Sequence, residues 1–181
     1  MKKLPWIEAL SAHIGLREIK GAKHEPVIVG WLNAMGGYTG EEKAWWREDE
    51  SSWCALAVGH ALGSTGRYVV KQWYRARAWA DPDKMTKLEK PAYGCIVVFS
   101  RQGGGHVGFV VGKDKVGRLM VLGGNQGDAV NVKPFGLDRV LGYYWPSSWI
   151  GGECVKSTPD PERYDLPLLN ANGVPSSTNE A

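Results

Sequence analysis

Apolar residues in the first third of the chain recur at helical spacing. One run lies between Pro5 and Gly15, and its apolar positions are Trp6, Ile7, Leu10 and Ile14. The next run opens at Pro26, and its apolar positions are Val27, Ile28, Trp31, Leu32 and Met35. Spacings of three and four residues place each set on one helix face, and proline is favoured in the first turn. Both runs therefore predict amphipathic helices.

A third helical run follows two serines that are good N-cap residues, Ser51 and Ser52. Its inward positions are Cys54, Ala57, Val58, Ala61 and Leu62. The pattern places Cys54 in the first turn, facing inward. A further helix is predicted over Val70–Arg77, and Asp81-Pro82 ends it.

The apolar period changes to that of strands at about residue 95. The β-rich stretches are 95–99, 106–111, 118–122, 129–132 and 140–144. Their short connections favour antiparallel pairing in a meander. Helices followed by strands predict an α+β fold, with helices on one side of an antiparallel sheet of about five strands.

The length of 181 residues suits one domain, which we place at 1–150. Residues 151–181 are rich in proline, serine and asparagine and poor in apolar residues, which is typical of a mobile tail. Three widely spaced cysteines argue against a disulfide scaffold and for synthesis in a reducing compartment. Polar residues interrupt the N-terminal segment, so we expect neither a secretory signal nor a membrane span.

The net charge of +3 makes the chain modestly basic, and acidic residues outnumber basic ones after residue 150. A basic body suits an anionic polymer such as nucleic acid or cell wall. The basic residues form no block, so charge alone does not choose between these partners.

Two residues have the chemistry of an acyl-transfer site. A helix start gathers unpaired N–H groups and favours the thiolate of Cys54, although a buried cysteine that only packs is the alternative. The glycine-rich turn 102–105 delivers His106 to the start of a strand, where it is either a base or merely a strand end. That turn lacks a following helix and a lysine, so it does not indicate a phosphate site. Gly105 allows close approach of backbone or substrate.

A third group follows the next strand, in the segment Leu-Gly-Gly-Asn-Gln-Gly at 122–127. If Asn125 lies beside His106, its side chain can accept the imidazole N–H and hold the other nitrogen ready to take the thiol proton. Gln126 and Asp128 are alternatives for this role, and Asn-Gln-Gly is also ordinary turn chemistry.

Four segments together resemble a known family. They are Trp-Cys-Ala at 53–55, Gly-Gly-Gly-His-Val-Gly-Phe-Val-Val-Gly at 103–112, Val-Leu-Gly-Gly-Asn-Gln-Gly-Asp at 121–128 and Val-Leu-Gly-Tyr-Tyr-Trp-Pro at 140–146. The chain resembles the papain-like NlpC/P60 and CHAP superfamily of peptidoglycan hydrolases, in particular a branch found in phage endolysins and prophage regions. The resemblance covers about 4–146 and implies a papain-like fold.

The resemblance implies Cys54 as nucleophile, His106 as general base and acid, and Asn125 as orienting residue. The expected substrate contacts are Trp53, Asp49, Glu50, Gly105 and Gln126. Papain's glutamine ahead of the cysteine has no counterpart at 48–53. The backbone N–H of Cys54 is one expected oxyanion donor, and the second donor is unassigned, with Gln72 and Tyr38 as candidates if the fold brings them close.

The expected partner is peptidoglycan, with no nucleic acid, no stable membrane insertion, no cofactor and a monomeric chain. The cysteines and histidines lack zinc-site spacing, and no loop of alternating acids indicates calcium, although some CHAP relatives use it. The resemblance implies synthesis in the host cytoplasm and release through a separate pore. Alternatives are an antibacterial toxin or thiol acyltransferase on the same fold, and a non-catalytic wall-binding module. The bond cleaved stays open between an amidase cut, a stem-peptide cut and a cross-link cut.

Overall fold

A computed structural model describes residues 2–20, 24–36, 53–170 and 173 of the protein. The α-helices in this part of the chain are α1 (Pro5–Ser11), α2 (Pro26–Ala34) and α3 (Cys54–Gly63). Two 3₁₀ helices span Ala76–Trp79 and Pro161–Tyr164. The strands are β1 (Thr86–Leu88), β2 (Ile96–Arg101), β3 (Gly104–Lys113), β4 (Leu119–Gly123), β5 (Asn131–Phe135), β6 (Val140–Trp145), β7 (Ser148–Ile150) and β8 (Glu153–Val155).

The helices predicted at the first two apolar runs are confirmed. Both have proline in the first turn, and the Glu25 side chain caps α2 by accepting from the backbone N–H of Val27 at 3.2 Å. Helix α1 ends at Ser11, and Ile14 beyond it is 54 % exposed. The apolar face of α1 is therefore shorter than the spacing indicated.

Helix α3 lies at the centre of the fold, because it packs against α1 and α2 as well as β3 and β4. Every residue of α3 except His60 and Gly63 is buried. Its first residue is Cys54, as predicted, and the cap position belongs to Trp53, without a side-chain cap. Ser51 and Ser52 lie outside the described residues.

The helix predicted over Val70–Arg77 is wrong. Turns occupy 71–74, and only the short 3₁₀ helix Ala76–Trp79 follows. The apolar residues there are buried by separate turns, and the indole Nε1 of Trp79 donates to the carbonyl oxygen of Trp73 at 3.1 Å. The aromatic residues at helical spacing in 70–77 are therefore buried in the core although the segment forms no α-helix there.

The main sheet has six antiparallel strands in the order β1-β6-β2-β3-β4-β5. Strands β2 to β5 form the predicted meander. Strand β6 then crosses back to pair with the other edge of β2, and the three-residue β1 adds a sixth strand beside it. The α+β class and papain-like architecture are confirmed, with one more strand than the five or so expected.

Residues 151–170 pack against the rest of the protein, and the mobility expected of 151–181 stays a prediction. Strands β7 and β8 form a hairpin, and Leu166 and Leu169 join the core. Lys113 at the end of β3 donates its backbone N–H to Pro167 and accepts from Leu169, both at 2.9 Å. The division of the chain at residue 150 stays a prediction.

Among the described residues, none of the helices combines the length and the apolar character needed to span a bilayer.

Candidate active site

Cys54 is the first residue of α3 and is fully buried, with 0 % of its surface exposed. At this position the backbone N–H groups of the first turn have no partner within the helix, and the helix dipole favours a negative charge. The helix start therefore stabilises the thiolate of Cys54, the nucleophilic form, against the cost of burying its charge.

His106 lies on β3 opposite Phe99 of β2, and 8 % of its surface is exposed. Its ring is stacked on Phe135 of β5, with the ring centroids 5.1 Å apart and the planes at 11°. Phe99 is a second stacked neighbour, with centroids 6.1 Å apart. Aromatic residues from two strands thus hold the plane of the imidazole.

The side chains of Cys54 and His106 form a hydrogen bond, so α3 and β3 bring the predicted nucleophile and base together. Burial lowers the pKa of His106, because it disfavours the charged ring. The hydrogen bond with Cys54, the charge of its thiolate and the hydrogen bond with Gln126 outweigh burial, so the pKa of His106 is raised above its ordinary value of 6.5, even though Arg101 lowers it. This environment favours a thiolate–imidazolium pair.

The third position at the site is occupied by Gln126. Its Oε1 lies 3.0 Å from Nε2 of His106. Its amide nitrogen lies 3.1 Å from the carbonyl oxygen of Val121, and 2.8 and 2.9 Å from the main-chain and side-chain oxygens of Asn131. These oxygens can only accept, so the amide orientation is fixed and Oε1 accepts a hydrogen bond from the N–H at Nε2 of His106. The other ring nitrogen, Nδ1, is then the one left for the thiol of Cys54.

Asn125, the expected orienting residue, has a different place in the same turn. Its backbone is left-handed, with φ 54°. Within the described ranges, none of the hydrogen bonds joins Asn125 to His106. Asparagine tolerates this conformation better than most residues, so Asn125 serves the turn that delivers Gln126.

Two glycines at the end of β4 make room for this arrangement. A Cβ at Gly123 would lie 2.8 Å from Oε1 of Gln126 and 3.6 Å from Nε2 of His106. A Cβ at Gly124 would lie 2.6 Å from the ring of Trp53 and 2.7 Å from Cβ of Ala57. Side chains at these positions would push the turn away from His106 and from α3.

Trp53 and Gly105 were expected to contact substrate, and the structure surrounds both with the protein's own groups. Trp53 is 2 % exposed, and its Nε1 donates to Oε2 of Glu18 at 2.9 Å. At Gly105, a Cβ would lie 3.0 Å from Cγ of Arg77, so the 3₁₀ helix Ala76–Trp79 makes the close approach there. Arg77 also donates from Nε to the carbonyl oxygen of Gly104 at 2.8 Å, which holds the start of β3.

Four sequence candidates remain: Asp49, Glu50, Tyr38 and Gln72. Asp49, Glu50 and Tyr38 lie outside the described residues. Gln72 is exposed, and its backbone carbonyl accepts from the N–H of Arg75 in a local turn. The second oxyanion donor therefore stays unassigned.

Sequence reasoning missed Asn131 and Phe135, both on β5. An asparagine and a phenylalanine in a short strand carry no signal of their own. Only the pairing of β4 with β5, which sets Gly123 opposite Asn131, brings them beside the histidine.

In the ranges 2–20, 24–36 and 53–170, no three histidine, cysteine or acidic side chains are grouped as the ligands of a metal ion would be.

A family model described as the CHAP domain matches residues 29–125, more than half of the chain. The match includes Cys54, His106 and Asn125 and ends one residue before Gln126. No curated protein and no solved structure matches the chain. The protein belongs to the CHAP domain family, within the wider CHAP and NlpC/P60 superfamily. Membership implies a peptidoglycan hydrolase or amidase, and such domains are typically cysteine-dependent.

Proposed function

We propose that this protein is an endolysin-like peptidoglycan hydrolase that cleaves an amide bond in the peptide part of the wall through Cys54, His106 and Gln126. The observation that carries the proposal is the hydrogen-bonded series from the Cys54 thiol through His106 to the fixed amide of Gln126. A thiol, a base and an orienting group in this order are the parts of a cysteine acyl-transfer site.

The first half of the reaction is acylation. The thiolate of Cys54 attacks the amide carbonyl carbon and forms a carbon–sulfur bond, and the carbonyl π electrons move to oxygen. When the oxyanion collapses, the carbon–nitrogen bond breaks, and His106 gives the proton on Nδ1 to the leaving amine. Gln126 keeps its hydrogen bond to Nε2 throughout, so the ring does not turn away.

The second half is hydrolysis of the thioester. His106, now neutral, takes a proton from a water molecule, and the resulting hydroxide attacks the acyl carbon. The carbon–sulfur bond breaks and releases a carboxylic acid. The thiolate–imidazolium pair is then restored, and the net reaction consumes one water per amide bond.

An endolysin role also specifies where the protein is made and where it acts. In this proposal the protein is made in the host cytoplasm and reaches the wall through a separate pore. The wall polymer is its partner, and the protein acts as a monomer without a cofactor.

Substitution of the nucleophile tests the proposal. We expect Cys54→Ala to fold, to bind wall fragments and to lose clearing of a purified peptidoglycan suspension, because the thioester of this proposal forms on the Cys54 sulfur. Cys154→Ala is the matched control, since this partly exposed cysteine lies on β8, and it should clear the suspension at the wild-type rate. Undiminished clearing by Cys54→Ala would refute the cysteine mechanism.

The same digests identify the bond. Mass spectrometry of the released muropeptides distinguishes a new carboxylate at the sugar-linked lactyl group from one within the stem peptide or the cross-link. Transfer to an added amine in place of water would instead support the acyltransferase alternative.

A further inference from the structure

The amide that orients His106 is itself held by Asn131, through both ends of one side chain. Oδ1 of Asn131 lies 2.9 Å from the amide nitrogen of Gln126, and Nδ2 of Asn131 donates to the main-chain oxygen of Gln126 at 2.7 Å. The carbonyl oxygen of Asn131 takes a further contact from that amide nitrogen at 2.8 Å. One residue therefore fixes the main chain and the side chain of Gln126 together.

The orientation of Asn131 follows from the chemistry of its neighbours. The main-chain oxygen of Gln126 can only accept, so the nitrogen of the Asn131 amide must face it. The oxygen of the same amide then faces the amide nitrogen of Gln126, which can only donate. A flip of either amide would set two acceptors against each other in a site where Gln126 is 4 % exposed.

We propose that Asn131 is a positioning residue that, through Gln126, keeps the neutral His106 in the tautomer protonated on Nε2. The proton acceptor on Nδ1 then always faces Cys54. The effect of Asn131 passes through Gln126, which both ends of its side chain contact. The expected effect on the rate of wall clearing rests on the proposed hydrolase function, whereas the expected tautomer of His106 does not.

Nitrogen-15 NMR of His106 tests the tautomer directly. In the wild-type protein above the pH at which the ring loses its second proton, we expect the Nε2–H form. In Asn131→Ala we expect a larger share of the Nδ1–H tautomer, because the Gln126 amide keeps its two main-chain acceptors but loses its side-chain acceptor and its main-chain clamp. The clearing rate should fall on the order of tenfold, the lower end of the losses seen when partners that orient metal-ligating histidines are removed.

Two further variants separate positioning from folding. Asn131→Asp keeps the size of the side chain but sets a carboxylate oxygen against the main-chain oxygen of Gln126, so we expect a larger share of the Nδ1–H tautomer and slower clearing here too. Lys133→Ala, an exposed position on the same strand, is the matched control and should leave both readouts at wild-type values. Wild-type values for Asn131→Asp would overturn the proposal.

A double-mutant cycle asks whether the effect runs through Gln126. If it does, Gln126→Leu combined with Asn131→Ala clears the wall no more slowly than Gln126→Leu alone. Additive losses would mean that Asn131 acts by another route and would overturn the inference. A wild-type protein that shows the Nε2–H tautomer but clears no wall would refute the hydrolase proposal and leave the positioning role standing.

Discussion

Three different kinds of side chain contact the imidazole ring of His106. Phe135 covers a face, Gln126 holds Nε2, and Cys54 engages the ring from the head of α3. Rotation of the imidazole about its long axis would break both polar contacts at once. The ring is thus held before substrate arrives, which lowers the cost of proton transfer.

The raised pKa of His106 predicts the alkaline limb of the pH–activity profile. The leaving amine needs the imidazolium proton. On the alkaline side, activity should therefore fall as the pH rises through the pKa of His106, which lies above 6.5. Gln126→Leu removes a hydrogen bond that raises this pKa, so the alkaline limb should move to lower pH. The pH dependence of clearing by the two proteins measures the shift.

The same raised pKa has a consequence for stability. Protonation of His106 stabilises the folded protein below pH 6.5, and this contribution is lost as pH rises through the folded-state pKa.

Asn125→Gly is the control for the pH–activity prediction and the orienting role of Gln126, because glycine keeps the positive φ of this turn. An alkaline limb that moves with Asn125→Gly and not with Gln126→Leu would return that role to Asn125.

Sequence reasoning assigned the orienting role to Asn125 and kept Gln126 as an alternative, because both are amides in one turn. The choice is made by the backbone: the left-handed conformation at Asn125 is followed by a buried Gln126 that faces the strand carrying His106. Backbone angles of a turn depend on how its two strands pair, and that pairing is not local.

At the scale of elements, the site depends on the close approach of β4 to the head of α3. Gly124 at the end of β4 lies against Trp53 and Ala57, and its missing side chain sets the spacing between strand and helix. This spacing carries Cys54 and Gln126 to the two sides of His106.

Gly124→Ala should therefore separate these elements. A Cβ 2.6 Å from the Trp53 ring forces a shift, so we expect a loss of about 1–3 kcal/mol in the free energy of unfolding. Clearing should fall as well, because the head of α3 moves. Chemical unfolding and the suspension assay measure the two effects.

Gly30→Ala supplies the matched control for added bulk. Gly30 lies on the exposed side of α2, and among the described residues no atom outside the helix's own backbone would lie within 4 Å of a methyl group added there. Alanine should therefore leave activity unchanged and stability equal or slightly higher. Equal stability for Gly124→Ala would contradict the close-approach argument.

Elements with a local signal were predictable. Helix α3 and strand β3 have strong periodicity, so Cys54 and His106 were placed correctly on them. The segment 70–77 has aromatic residues at helical spacing, but its side chains enter the core from successive turns. The return of β6 to β2 has no local signal, because it depends on which edge of the meander is left open.

At the scale of the whole molecule, the C-terminal segment closes the fold. Arg163 is 2 % exposed, its Nη2 donates to the carbonyl oxygen of Lys2 at 2.9 Å, and its own carbonyl oxygen accepts from Tyr93 at 2.7 Å. Farther along, Leu169 packs close to Gly112 of β3. The segment joins the N-terminus to the sheet.

Leu169→Ala tests whether this segment contributes to stability. Leu169 is 7 % exposed, so we expect a loss of about 2–4 kcal/mol in the free energy of unfolding, as for other buried leucines. Leu137→Ala, at a position 56 % exposed, should change it by less than about 0.5 kcal/mol. Equal results for the two variants in denaturant unfolding would indicate that the segment is not packed in solution.

The hydrogen bond between Arg163 and Lys2 also bears on the order in which the protein folds. These residues are separated by 161 positions, so a nascent chain lacks this hydrogen bond until residue 163 has been synthesised. Pairings this distant form late and slowly. The C-terminal segment therefore completes its contacts with the N-terminus late in folding.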